Sequence, residues 1–140
     1  MRKHISTILL SIVILAGLSL LLYPTVSDYW NQFHQSQAIA GYVDKVNNVD
    51  KQTLEKLRED AKEYNKALLK NNDRYHMTDR QRKKYESLLN IAGNGVMGYV
   101  EIPSISVSLP IYHGTDQEVL QIGVGHIGGT SLPVGGKGTH

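Results

Sequence analysis

At 140 residues the chain has room for one ordinary domain and an anchor, and its 41% apolar content is too high for a disordered polymer. A formal charge of +2 is too small to argue for a nucleic-acid partner. The absence of cysteine excludes disulfides and thiol ligands, and leaves the redox compartment unread.

The N-terminus carries the clearest physical signal. Arg2 and Lys3 precede residues 5–23, which hold no charged side chain. As a helix, that stretch is just long enough to cross the ~30 Å hydrocarbon core of a bilayer. Positive residues before the span favour an N-terminus inside and everything from Pro24 onward outside. The apolar run exceeds a signal-peptide core of roughly 7–15 residues, and no clear Ala-x-Ala site follows. An uncleaved, single-pass anchor over residues 1–25 is therefore expected. Tyr23, Tyr29 and Trp30 suit the outer interface, where amphipathic rings sit.

Residues 26–94 read as helices. Ser27 or Asp28 can cap a first helix through about Asn47, with Phe33, Ala40 and Val43 on one face. Asp50 can cap the next, whose Leu54, Leu57, Ala61, Tyr64 and Leu68 form one apolar seam. That seam is expected to pack on Phe33, Ala40 and Val43. Glu59 and Glu63 run beside Lys62 and Lys66, so these charges read as a solvated, internally paired face. Thr78 or Asp79 starts a shorter helix through Leu89, with Tyr85 and Leu88 inward. Residues 51–84 hold eleven Lys/Arg against six Asp/Glu, and Arg80, Arg82, Lys83 and Lys84 concentrate that excess on an outer face.

From Val96 the period changes to that of strands. Residues 96–102 and 105–111 are β-rich, and Ile105, Val107, Leu109 and Ile111 alternate. Asn94-Gly95 signals a turn. Pro103 and Pro110 donate no ladder hydrogen bond and so confine pairing to edges or ends. Thr115 or Asp116 can cap a short helix over residues 118–121, and residues 123–127 can return as a strand. A glycine-rich loop follows, and Gly138-Thr139-His140 reads as the start of another strand.

Two chemistries fail on spacing. A phosphate loop needs Gly-x4-Gly-Lys-Ser/Thr. Counting from Gly135-Gly136-Lys137 puts Ser131 at the first glycine and Gly138 at the hydroxyl position. His34, His76, His113, His126 and His140 show no helical His pair and no His-Glu-x-x-His spacing, so no metal or other cofactor is expected.

One set of segments points elsewhere. Gly98-Tyr99-Val100-Glu101-Ile102-Pro103 is followed by Leu109-Pro110-Ile111-Tyr112-His113-Gly114, then Gly123-Val124-Gly125-His126 and Gly129-Thr130-Ser131-Leu132-Pro133. In order and spacing these segments resemble a class C, pilus-assembling sortase. Ser36-Gln37-Ala38-Ile39-Ala40 and Tyr64-Asn65 resemble the helical section of that family. The resemblance implies a small closed β-barrel anchored outside a Gram-positive membrane. It implies cleavage of a Leu-Pro-x-Thr-Gly-type signal between Thr and Gly. A Cys thiolate takes the acyl group, a pilin Lys amine resolves it, and a His and an Arg assist.

By family order those three catalytic groups fall after His140. His126 follows a glycine but belongs to the strand before the catalytic element, and His140 matches the Thr-His ahead of it. No catalytic residue is therefore expected here, and the chain is expected to stop short of its active site and to be inactive. The family's lid carries Asp-Pro-aromatic. Asn72-Asp73-Arg74-Tyr75 is the nearest match, so Asp73 and Tyr75 are lid-like candidates, with Arg74 where proline's fixed φ would stiffen the turn.

The fold expected is α+β: a transmembrane helix (1–25), a helical section with a degenerate lid (26–94), and the first strands of an incomplete sortase-like barrel (95–140). The partners implied are sorting signals of pilins or surface proteins, and the membrane. The alternative function is a non-catalytic, membrane-tethered interaction module.

Overall fold

The computed structural model describes residues 2–136. The chain divides into two compact units, Met1–Phe33 and His34–His140. The first is helical throughout its described residues and belongs to α1 (Arg2–Asn48). Ile5, Leu9, Val13 and Leu21 are 62%, 64%, 62% and 76% exposed, so the helix presents an apolar surface. It is long and apolar enough to cross a membrane, by length and composition.

The start expected at Ser27 or Asp28 is corrected: α1 runs unbroken through Pro24, and both residues sit inside it. A mid-helix proline costs about 3 kcal/mol through one lost bond and a clash. Helix propagation from many residues on each side outweighs that, since only nucleation is unfavourable.

The second unit holds the end of α1, then α2 (Lys51–Leu68), α3 (Asp79–Ser87), β1 (Val96–Ile102), β2 (Val107–His113), α4 (Gln117–Ile122) and β3 (Val124–His126). The helix starts are written locally. Asp50 caps α2, its carboxylate accepting from Thr53 N–H (2.9 Å) and Thr53 Oγ1 (2.7 Å). Thr78 caps α3 in a reciprocal box with Gln81. That helix ends before Leu89, because Leu88 turns extended and Leu89 adopts φ 57°. The strain at a branched residue is offset by placing Leu88 in the core and Leu89 against it.

The seam of α2 forms as expected, with Ala61, Asn65 and Leu68 buried. Its expected partner is corrected. The core cluster joins Ala61 to Tyr85, Leu88, Met97, Leu132 and Val134, with Tyr64, Met77, Leu89 and Ile111 around it. Ala40 is exposed and Val43 only half-buried, outside that cluster. Leu132 and Met97 bring more apolar surface than Ala40 and Val43, and burying a Leu or Met contributes about 1.5–3 kcal/mol.

The sheet has the order β1-β2-β3. β1 and β2 are antiparallel, from Val96↔Tyr112 to Ile102↔Val107, with a bulge between Val96 and Gly98. β2 begins at Val107 rather than at the expected Ile105, because Pro103–Ile105 forms a 3-10 turn closed by Ser106 at φ 53°. β3 returns parallel to β2 through α4, which supplies the crossover a parallel pair needs. Pro110 pairs with Tyr99 of β1, while the β2–β3 ladder starts one residue later at Ile111↔Val124. The proline thus stands at a ladder's end, where its missing N–H breaks no bond. Among the described residues the sheet is open, with β1 and β3 at its edges. The strand start expected at Gly138-Thr139-His140 lies outside the described residues.

Candidate functional site

The turn between α2 and α3 carries the lid-like residues. Asp73 and Tyr75 are both exposed, Tyr75 by 57%. Asp73 Oδ1 lies 2.6 Å from His76 Nδ1, and the Asp73 N–H donates to Asn71 Oδ1 (3.0 Å). Arg74 donates to the Tyr75 hydroxyl (3.1 Å), with its guanidinium carbon 5.0 Å from the ring centre. No proline stiffens this turn. A close backbone approach holds it instead: a Cβ at Gly129, which has φ 85°, would collide with the Arg74 carbonyl. A Cβ at Gly128 would meet Met77 Cε at 2.5 Å. The lid-like turn thus rests on the loop that follows β3.

Beneath that loop, Tyr85 links α3 to the ends of β2 and β3. Its hydroxyl accepts from Gly114 N–H (3.2 Å) and donates to the His126 carbonyl (2.9 Å), with His126 Nδ1 also at 2.9 Å. His126 Nε2 faces the Ser131 carbonyl (3.0 Å), with Thr130 Oγ1 at 3.3 Å. If Nε2–H serves Ser131, then Nδ1 and the His126 carbonyl share the single Tyr85 hydrogen. His113 stacks edge-on to Tyr85, ring centres 5.0 Å apart. Its Nδ1 faces the Gly95 carbonyl (3.0 Å) and its Nε2 the Leu88 carbonyl (2.7 Å). Burial pushes the Tyr85 phenol up to about 12, against the pull of the Gly114 amide. Burial also lowers the His126 imidazole, opposed by the Ser131 carbonyl, while nearby His113 lowers it further. Both rings sit among main-chain and hydroxyl oxygens, and a neutral His113 donates its one N–H to either the Gly95 or the Leu88 carbonyl, which makes the cluster a structural tie.

A second tie reaches the same loop. Asn65 Nδ2 donates to the Leu132 carbonyl (3.0 Å), and Leu132 N–H donates to Asn65 Oδ1 (2.7 Å). One buried side-chain amide thus pairs with a backbone peptide as a neighbouring strand would. Tyr64, beside it, has a buried hydroxyl without a hydrogen-bond partner among the described residues. Burial raises that phenol, and the Gly129 amide opposes the rise from beyond hydrogen-bond geometry.

The remaining candidates do not converge. No group of three or more metal-ligating side chains forms among the described residues. His140 and Lys137 of the phosphate-loop-like run lie outside the described residues. The helical period places Tyr85 inward but does not reveal its hydroxyl partners. Tyr64-Asn65 stands out in the sequence by resemblance, but the grip of Asn65 on Leu132 does not. The signal for the close approach was the Gly128-Gly129 pair.

No protein-family model and no curated protein matches. Among solved structures, sortase C1 from Streptococcus agalactiae aligns at 45% identity and a TM-score of 0.69, covering 74% of this chain and 54% of that one. The chain is sortase C-like. Sortase C-1 from Actinomyces oris aligns at 44% identity and TM-score 0.53, over 64% of this chain and 51% of that one. A Clostridium perfringens sortase C, solved in complex with a C-terminal cell wall sorting signal motif, aligns at 40% identity and TM-score 0.58. It covers 75% of this chain and 49% of the sortase. The sortase C-like chain therefore spans about half the length of the sortases it matches.

Proposed function

We propose that this chain supplies the membrane anchor, the lid-bearing helical section and the first barrel strands of a class C sortase. The enzyme would be a cysteine transpeptidase that joins pilin subunits through Leu-Pro-x-Thr-Gly-type sorting signals. The observation that carries this reading is the 45% identity and common fold with a sortase C1 over 74% of the chain. The organisation follows: residues 1–25 as anchor with Arg2 and Lys3 inside, 26–94 as helical section, 95–140 as barrel strands. The turn bearing Asp73 and Tyr75 acts as the lid, held at Gly129 rather than by proline. With no cysteine among its 140 residues, the chain has no thiolate nucleophile and does not turn over a sorting signal alone. That same fact supports the second reading, a non-catalytic membrane-tethered interaction module.

A chimera separates the two. Residues 34–136 replace the matching part of the Streptococcus agalactiae sortase C1, whose own second half supplies the remainder. A fluorogenic sorting-signal peptide then reports turnover. The sortase reading expects cleavage by the chimera and none by this chain alone. A folded chimera without activity would favour the interaction module, and turnover by the chain alone would overturn the assignment of its chemistry.

A further inference from the structure

Between α2 and α3 lies a groove of about 560 Å³ that neither tie described above uses. Tyr64, Ala67 and Leu68 give it a largely apolar lining, with Leu68 buried and Tyr64 half-buried. Lys70, Arg80 and Lys84 also line it, and all three are exposed. No carboxylate lines it. Among the described residues these cations make no ion pair; the single such contact is Asp73 with His76, so the pairing expected of Glu59 and Glu63 with Lys62 and Lys66 does not form. Three cations thus converge on one apolar depression, although Glu63, Asp79 and Glu86 are available on the same helices. Like charges gathered without counter-charges repel each other, and an anionic occupant relieves that repulsion.

We propose that this groove docks an acidic peptide segment of a partner protein, one bulky apolar side chain seated on Tyr64 and Leu68 and flanking carboxylates meeting Lys70, Arg80 and Lys84. The concavity decides between peptide and membrane. A flat anionic lipid surface engages cations that protrude together, whereas an apolar bed between cations fits a protruding side chain with charges on either side. The proposal does not depend on sorting-signal chemistry, because no transpeptidation step enters it.

The test uses the full chain in non-ionic detergent micelles and a dye-labelled Glu-Glu-Leu-Phe-Glu-Glu peptide, read by fluorescence anisotropy. The Glu→Gln version of the peptide is expected to bind about tenfold more weakly or not at all. Reversing two groove charges in the Arg80→Glu, Lys84→Glu variant should weaken the acidic peptide by about tenfold or more. The Arg82→Glu, Lys83→Glu variant carries the same charge change off the groove and should bind as the parent does. Equal affinity for the two peptides, equal loss in both variants, or no binding at millimolar peptide would each overturn the proposal. So would a lipid result: binding to vesicles containing 20% phosphatidylglycerol that depends on Arg80 and Lys84 while the peptide fails to bind.

Discussion

Tyr85 is 2% exposed, yet its hydroxyl meets three polar groups, one on Gly114 just after β2 and two on His126 of β3. Tyr85→Phe keeps the ring and leaves the Gly114 amide without that acceptor. We expect it to cost about 1–3 kcal/mol in urea unfolding of the detergent-held chain; a loss under 0.5 kcal/mol would show the hydroxyl to be incidental. His126 makes the same cluster sensitive to acid. Its folded-state value is lowered, so the fold prefers the neutral ring. That contribution is complete above the ordinary imidazole value of 6.5 and drains as pH falls through the lowered folded value. Melting temperatures should hold steady from pH 8 to about 6.5 and fall below that, and His126→Gln should flatten the fall. Tyr85 works at the other end of the scale. Its raised phenol contributes fully below 10, and that contribution is lost as pH rises from 10 to about 12. The inward face of Tyr85 was legible because α3 has a helical period. Its partners were not, since Gly114 and His126 lie 29 and 41 positions away.

Elements with local punctuation were read closely from the sequence. Asp50 and Thr78 cap the helices they precede, and β1 begins at Val96 after the Asn94-Gly95 turn. Caps and turns are decided within three or four residues, so sequence carries them. What a helix packs on is decided elsewhere. The seam of α2 is visible as a period, but nothing within it distinguishes Ala40 and Val43 from Leu132 and Met97 as partners. The lid-like turn shows the same division. Asp73 and Tyr75 stand out by resemblance, while the grip on that turn comes from Gly129. Gly129→Ala forces both a strained φ and a collision with the Arg74 carbonyl, and should cost at least about 1 kcal/mol. Amide exchange at residues 74–77 should rise severalfold in that variant; unchanged exchange would mean that the turn is held by something else.

At the scale of the whole molecule, α1 and the folded unit carry separate expectations. An exposed apolar helix that opens on Arg2 and Lys3 should anchor the chain with its N-terminus inside. The lack of native cysteine makes this direct to check. A membrane-impermeant maleimide should label Asn94→Cys on intact cells and spare Lys3→Cys; the reverse pattern would refute the orientation. The pairing of Asn65 with Leu132 also sets an order in time. Sixty-seven positions separate the two residues. At synthesis rates of about 5–20 residues per second, α2 waits roughly 3–13 s for the segment that completes its core. During that interval its seam faces water with the Asn65 amide hydrated. The charged rows beside it, Glu59 and Glu63 with Lys62 and Lys66, then keep a half-made chain from associating with its neighbours.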